Sequence, residues 1–398
     1  MTTVSPLQTE INSVIALYSN GQIQEALGAV EALIKEYPNE ALLYNISGVC
    51  YKAIGKLDET VKSFEKALTI KSDYAEVHYN LGVTLQELGQ LDDAVKSYEK
   101  AVTIKPDYAD AYINLGITLK NLGQLDAAVK SYKQALAINP DYAEAHNNLG
   151  NALNDLGQLD EAVKCYEKAL AIKPDYAEAQ HMINSLTGKT SQSAPKEYVE
   201  NLFNNYADKF EDSLINNLEY AMPSLLKKKF LNSSLAKNDI CRAVDLGCGT
   251  GLCGVEFRDL TEILIGIDLS NKMIAKAKEK NIYDELYIND LINGLKELER
   301  KFDLFISADV FIYVGDLKDL FNTVSEYATK HSLFIFSTED EDGDSFHLRQ
   351  SGRYSHSKKY IAQLASTSGF KLEHFERSNL RKDKGQWIVG GIYILSYI

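Results

Sequence analysis

The stretch "AVDLGCGTGLCGVEF", residues 243–257, runs an apolar strand into four glycines with a carboxylate ahead of them. Glycine at that spacing removes Cβ and lets backbone lie close against a ligand. Two ligand chemistries use such a turn. Gly249, Gly251 and Gly254 fit G-x-G-x-x-G, which suits a dinucleotide pyrophosphate. Asp245, Gly247, Gly249 and Gly251 fit D-x-G-x-G-x-G, which suits a cationic sulfonium cofactor. Asp268 follows about 20 residues later and can accept from ribose hydroxyls in either case, so it does not discriminate. Asp245 does discriminate. A carboxylate inside the end of the first strand repels a pyrophosphate and tolerates a sulfonium that also carries an ammonium group. A second acid, Asp290 in "IND", stands where it can reach the exocyclic amine of adenine.

These residues need a sheet to hold them, and the second half of the chain supplies its pattern. "RAVDLG", "EILIGIDLS", "DELYIND", "FDLFISADVFIYV" and "HSLFIFSTE" read as strands, with helical patterns between them. "SKKYIAQLASTSGF" reads as a helix, and "KLEHFERSNL" and "QWIVGGIYILSYI" as two late strands. Alternation of this kind predicts an α/β doubly wound (Rossmann-like) domain, with its ligand at the carboxyl ends of the strands.

The first half repeats itself. Tyr74, Tyr108, Tyr142 and Tyr176 are 34 residues apart, as are Gly48, Gly82, Gly116 and Gly150, and Gly21, Gly55, Gly89, Gly123 and Gly157. A fixed period of this length predicts a solenoid of helical hairpins. In one unit Leu81, Gly82 and Leu85 lie on the first helix, "LGQLD" turns, Ala94, Tyr98 and Ala101 lie on the second, and Pro106 closes it. A hairpin cannot bury its own apolar face, so neighbours stack. This pattern resembles the tetratricopeptide repeat family. Residues 75–176 hold three close copies, and 41–74 and 7–40 hold looser ones, with Thr60 and Ser72 where Ala and Pro are usual. Residues 177–187, "AEAQHMINSLT", begin like a sixth unit and are expected to cap the array. The resemblance implies a concave groove that holds peptide. Asn12, Asn80, Asn114 and Asn148 fall at one register, interrupted by Ile46, and an Asn amide can pair with extended backbone. Asn80, Asn114 and Asn148 are therefore candidate peptide contacts, and the other reading is that they bond adjacent turns of the solenoid.

The ordered set "VDLGCGTG", "IGIDLS", "INDL" and "FDLFISADVFIYV" resembles the class I S-adenosylmethionine-dependent methyltransferases. The whole chain resembles bacterial tetratricopeptide–methyltransferase fusions, in which "NLFNNYADKFEDSL" and "GRYSHSKKYI" also have counterparts. The resemblance implies S-adenosylmethionine as cofactor. Gly247, Gly249 and Gly251 would approach its methionine and ribose portion, and Asp245 would accept from its ammonium. Asp268 would hold the ribose, Leu269 and Met273 would pack on adenine, and Asp290 and Leu291 would bracket the adenine edge. Ser307, Ala308 and Asp309 end the fourth strand and would face cofactor and acceptor. Tyr206 and Phe210 would belong to a lid, or serve only as helix-packing aromatics. Asp309, Tyr313 and His356 are candidate proton acceptors, with His356 alternatively a hydrogen bonder at a helix start. Arg353 would hold an acidic substrate group or pair with "EDEDGD". "SADV" stands where many amino-group methylators carry an N-P-P-Y-type tetrapeptide, which argues against adenine-N6 and glutamine acceptors.

The expected organisation is an all-α solenoid over 1–188, a linker over 189–197 in the small polar run "TGKTSQSAPKE", and the α/β domain over 198–398. The formal charge of the chain is −14, with −10 on residues 1–188. An acidic chain repels nucleic acid, so no nucleic-acid partner is expected. The five cysteines lack C-x-x-C spacing, which predicts neither zinc nor a disulfide framework and fits a reducing cytoplasm. No apolar run reaches membrane-span length, no metal is expected, and the first residues do not read as a signal peptide. Three functions remain open: a methyltransferase whose repeats recruit a protein, peptide or carrier-bound acceptor; a small-molecule methyltransferase whose repeats serve assembly; and an interaction scaffold with a cofactor-sensing domain.

Overall fold

The structure, a computed structural model, describes residues 6–236, 240–383 and 385–398. Two compact units divide the chain between Tyr176 and Ala177.

The first unit is five helical hairpins: Pro6–Ser19 with Ile23–Glu36, Ala41–Ala53 with Leu57–Ile70, Ala75–Glu87 with Leu91–Ile104, Ala109–Asn121 with Leu125–Ile138, and Ala143–Asp155 with Leu159–Ile172. The 34-residue period has a steric basis. Gly48, Gly82, Gly116 and Gly150 each face the ring sixteen residues later in the same hairpin. A Cβ there would come within 2.5–2.7 Å of Phe64, Tyr98, Tyr132 and Tyr166. Those four rings are buried, with Ala67, Ala101, Ala135 and Ala169 one turn further on. The turn glycines, Gly55 to Gly157, take φ of +74° to +76°, where an L side chain is strained.

The second unit is a nine-stranded sheet with helices on both faces. The strands are β1 (Ile240–Leu246), β2 (Thr261–Asp268), β3 (Glu285–Ile288), β4 (Phe302–Ser307), β5 (Ala328–Glu341), β6 (Phe346–Leu348), β7 (Tyr354–Ser357), β8 (Phe370–Asp383) and β9 (Gln386–Tyr397). Strands β3, β2, β1, β4 and β5 lie side by side and parallel. Beyond β5, β9 pairs antiparallel along Leu333–Glu339, and β7 pairs parallel with Glu339–Glu341. Alternate residues divide between two cores. Val244, Leu246, Ile265, Phe305, Phe334 and Phe336 fill one face, and Ala243, Leu264, Leu304, Ile335 and Ile394 pack on Met222, Phe230 and Phe257 on the other.

Two features differ from the sequence reading. The helix Ala177–Thr187, expected to cap the repeats, falls within the second unit. The small polar run after it is not a free linker. Ser193 bridges Val314 in antiparallel register. The Gln192 carbonyl accepts from the Asp316 amide at 2.7 Å, and the Ala194 amide donates to the Tyr313 carbonyl at 3.0 Å. Ser191 Oγ shares a 2.7 Å hydrogen bond with Tyr354 Oη. The small side chains that look like linker composition are those that let backbone lie against backbone.

Candidate active site

Parallel strands end at one edge of the sheet, and the glycine turn leaves β1 there. Gly247, Gly249 and Gly251 have φ of +76°, +53° and +94°. Gly247 has no space for a side chain, since its Cβ would meet Val310 Cγ2 at 2.5 Å. Asp268, at the end of β2, holds the turn. Its Oδ2 accepts from the Gly249 amide and its Oδ1 from the Ser270 amide, both at 2.8 Å. These amides oppose the upward push of burial on its pKa, and burial prevails. The turn opens on a cavity of about 500 Å³, lined on this side by Gly247, Cys248, Gly249, Thr250, Asp268 and Leu269.

Asp245 lies behind the turn, 1% exposed, with Oδ2 accepting from Tyr283 Oη at 2.6 Å. Its Oδ1 has no hydrogen-bond partner among the described residues. Burial pushes this carboxyl up to about 7, against the pull of the Tyr283 bond. The donor set around the turn is thus three carboxylates, at Asp245, Asp268 and Asp290, one of them with a buried unpaired oxygen. It fits a cationic sulfonium with an ammonium group and opposes a pyrophosphate. Asp290 is partly committed. It caps the helix Leu291–Leu298 through the Asn293 amide at 3.0 Å, and Lys196 Nζ sits 2.5 Å from its Oδ2.

The same cavity is also lined by Ala308, Asp309, Val310, Ile312, Tyr313, Arg353 and Arg381. Asp309 lies two residues beyond the end of β4, with φ +60°. Arg381, 2% exposed, lies 2.5 Å from both Asp309 oxygens and bonds Glu339 through its other terminal nitrogen. Arg353 donates to Asp383 at 2.7 Å, with about a quarter of its side chain accessible. Burial pushes the hydroxyls of Tyr220 and Tyr313 above their ordinary values, so both remain protonated donors. Tyr206, Phe210, Phe203 and Leu202 form an apolar wall over the opening, with Tyr206 and Phe210 edge-to-face at 5.8 Å. Ser193, Ala194 and Lys196, from the run expected to be a linker, complete it.

The structure thus gathers Gly247, Gly249, Asp268, Leu269, Asp290, Leu291, Tyr206, Phe210, Asp309 and Tyr313 around one cavity. Other candidates lie elsewhere. Met273 is fully buried on the helix Asn271–Glu279. Ser307 is buried and donates to the Leu246 carbonyl at 2.9 Å. His356 does not line the cavity. Its buried Nε2 sits 2.9 Å from the carbonyls of both Val314 and Gly315, and burial pushes its pKa down to about 4. Ser357 caps the following helix through the Tyr360 amide. A neutral imidazole shared between two carbonyls has no route to an acceptor, so the proton-accepting role does not fit His356. Arg381 and Tyr220 went unrecognised in the sequence. A register shift between Asn379 and Arg381 turns both Leu380 and Arg381 inward, and strict alternation hides such a pair.

In the first unit, Asn80 Nδ2 donates to Asn45 Oδ1 at 3.3 Å and Asn114 Nδ2 to Tyr79 Oη at 3.0 Å. Both therefore bond the preceding hairpin, and Asn148 is half-buried at the same register. Among the described residues no group of three His, Cys, Asp or Glu is placed to hold a metal, and no helix is long and apolar enough to cross a membrane.

Comparison with known proteins agrees with both halves. A TPR repeat model matches residues 48–89, 87–123 and 118–155, and a tetratricopeptide repeat model matches 143–176. A methyltransferase domain model matches residues 237–386. The chain therefore carries N-terminal tetratricopeptide repeats and a C-terminal methyltransferase domain of Rossmann-like fold. Among curated relatives it is similar to malonyl-[acyl-carrier protein] O-methyltransferases. The one from Bacillus anthracis is 29% identical over 27% of this chain and 41% of its own length. The one from Priestia megaterium is 24% identical over 44% of this chain and 61% of its own length. These relatives are thus matched over about half their length. Among solved structures, YrrB, "a TPR protein with an unusual peptide-binding site", is 27% identical over 43% of this chain and 89% of its own, with a TM-score of 0.40.

Proposed function

We propose that this chain is an S-adenosylmethionine-dependent methyltransferase that esterifies a carboxylate on a carrier- or protein-bound acceptor, with the repeats recruiting that carrier. The observation that carries the reading is the set of residues that line this cavity. It brings the glycine turn and the carboxylate of Asp268 into the same space as Arg353 and Tyr313, whose hydroxyl burial keeps protonated. When bound, the cofactor supplies a methyl group on a positively charged sulfur.

The chain's residues then have separable tasks. Asp268 holds the Gly249 amide and keeps the turn open to the ribose. Tyr206, Phe210 and Phe203 exclude water above the cavity. Arg353 and Tyr313 orient the acceptor carboxylate by charge-assisted hydrogen bonds. Held by Arg353 and Tyr313, the acceptor carboxylate would be the nucleophile for the activated methyl group that the cofactor would supply beside the glycine turn. No proton has to be removed, because the nucleophile is already ionised. This accords with Asp309 being held by Arg381 and with His356 lying outside the cavity. Alignment in a dry pocket then supplies much of the rate. The similarity to malonyl-[acyl-carrier protein] O-methyltransferases supports a carrier-bound acid as acceptor.

The test is transfer of labelled methyl to malonyl-loaded acyl carrier protein. The full chain is compared with Arg353→Met and with a chain that starts at Ala177. The expected product is protein-bound label released by mild base, reduced at least about a hundredfold by Arg353→Met and weakened by loss of the repeats. Base-stable label, or label confined to small molecules, would overturn the acceptor class. Equal rates from the shortened chain would overturn recruitment.

A further inference from the structure

The helix Ala177–Thr187 has the register of a repeat yet does its packing at the rim of the acceptor cavity. His181, 2% exposed, places Nε2 2.9 Å from the Gly352 carbonyl. A carbonyl only accepts, so Nε2 carries the proton and His181 donates. The ring is flanked by Tyr198 at 5.2 Å and Tyr354 at 6.2 Å, so it has little freedom to turn away. Gly352 takes φ +76°, and a Cβ there would lie 3.3 Å from Met182 Sδ. The contact is therefore two-sided: a donor from the helix, and a glycine that lets the helix approach.

The residue after Gly352 is Arg353, the guanidinium proposed above to hold the acceptor. The turn that carries it is closed by the Gly352 amide on the Arg349 carbonyl at 2.9 Å and the Arg349 amide on the Arg353 carbonyl at 2.8 Å. The run after the helix pins neighbouring pieces of the rim, through Ser191 on Tyr354 and Ala194 on Tyr313. We infer that His181 is a positioning residue for acceptor binding. It fixes the Arg349–Arg353 turn and so places the Arg353 guanidinium, although it touches neither cofactor nor acceptor. The inference rests on Arg353 being the acceptor-holding group.

Two readouts test it in the full-length chain. In His181→Phe, amides of Arg349 and Gly352 are expected to exchange hydrogen about tenfold faster, as for loss of one buried hydrogen bond, with Phe334–Phe336 unchanged. KM for malonyl-loaded acyl carrier protein is expected to rise by a similar factor. The kcat at saturating acceptor and the calorimetric affinity for S-adenosylhomocysteine should stay within about twofold. His181→Gln, which keeps an N–H donor, should recover both exchange and KM. Unchanged exchange in His181→Phe overturns the inference, as does faster exchange with unchanged KM, or a loss that falls on kcat and cofactor affinity. Should His181→Phe fail to fold, Gly352→Ala perturbs the same contact from the other side, and an unchanged KM there overturns the inference. If the wild-type chain does not methylate this carrier, the acceptor reading fails, and the exchange data alone judge whether His181 holds the turn.

Discussion

His356→Phe separates a structural histidine from a chemical one. The wild-type ring is fully buried between the carbonyls of Val314 and Gly315, stacked at 6.0 Å on Tyr360. Phenylalanine fills a similar volume and removes the donor. Leaving a buried carbonyl unpaired costs about 1–3 kcal/mol, so the variant should be less stable by about that amount at pH 7.5. The pH dependence adds a signed test. Burial lowers the pKa of His356 from 6.5 to about 4. A histidine depressed in the folded state contributes stability present above its unfolded pKa and lost as pH falls through the folded one. Over that window the wild-type chain should lose about 3 kcal/mol that the variant, lacking the group, does not lose. The stability gap between them should therefore close, or reverse, by pH 4. The assay is urea denaturation followed by fluorescence of Trp387, the sole tryptophan, which lies on β9 and reports the second unit alone. Methyl transfer per folded molecule should stay within a few-fold at pH 7.5. A parallel pH dependence in the two proteins, or a hundredfold loss of turnover in a variant of unchanged stability, would refute the structural assignment.

Three further expectations follow from the same geometry. Gly247→Ala sets a methyl 2.5 Å from Val310 at φ +76°, so affinity for S-adenosylhomocysteine by calorimetry should fall at least about tenfold. Asp245→Asn should stabilise the ligand-free chain at pH 8. The raised carboxyl, near 7, contributes stability that is present below its unfolded pKa and lost as pH rises through the folded one, so the gain should vanish at pH 4. Gly116→Ala drives a methyl into the buried ring of Tyr132 and should lower the stability of the repeat unit by about 1–3 kcal/mol, seen in helical circular dichroism while Trp387 fluorescence is unchanged.

Most of the fold was legible in the sequence. The helical array is legible because Gly82 and Tyr98, or Gly116 and Tyr132, recur as one steric unit, and a recurring contact leaves a period. The strand, turn and helix at β1 are legible because a glycine turn between an inward strand and a helix needs those residue types. Asp268 stands at the end of β2, where the strand pattern predicts an acid, and its carboxylate tethers the Gly249 amide. What escaped notice depends on contacts without local signature. Arg381 meets Asp309 seventy-two residues away in sequence, across a bulge that breaks alternation. Ser191, Ser193 and Ala194 bond residues far along the chain through backbone and one hydroxyl, and composition carries no trace of that. The short strand Tyr354–Ser357 is polar in three of its four residues yet buried throughout, so it shows no apolar alternation. His356 shows the same limit. The helix start expected at His356 is capped by Ser357 instead, while the partners of His356 are backbone carbonyls more than forty residues away in sequence.

The glycine–ring lock in each hairpin has an evolutionary consequence. Gly82 and Tyr98, like Gly150 and Tyr166, sit in one hairpin, so the tightest clash in the array is internal to its own unit. Unequal recombination that duplicates or excises a whole 34-residue segment leaves every such lock intact. Arrays built this way can change in length without compensating substitutions, and the groove they present can be resized faster than a single-core domain can be repacked.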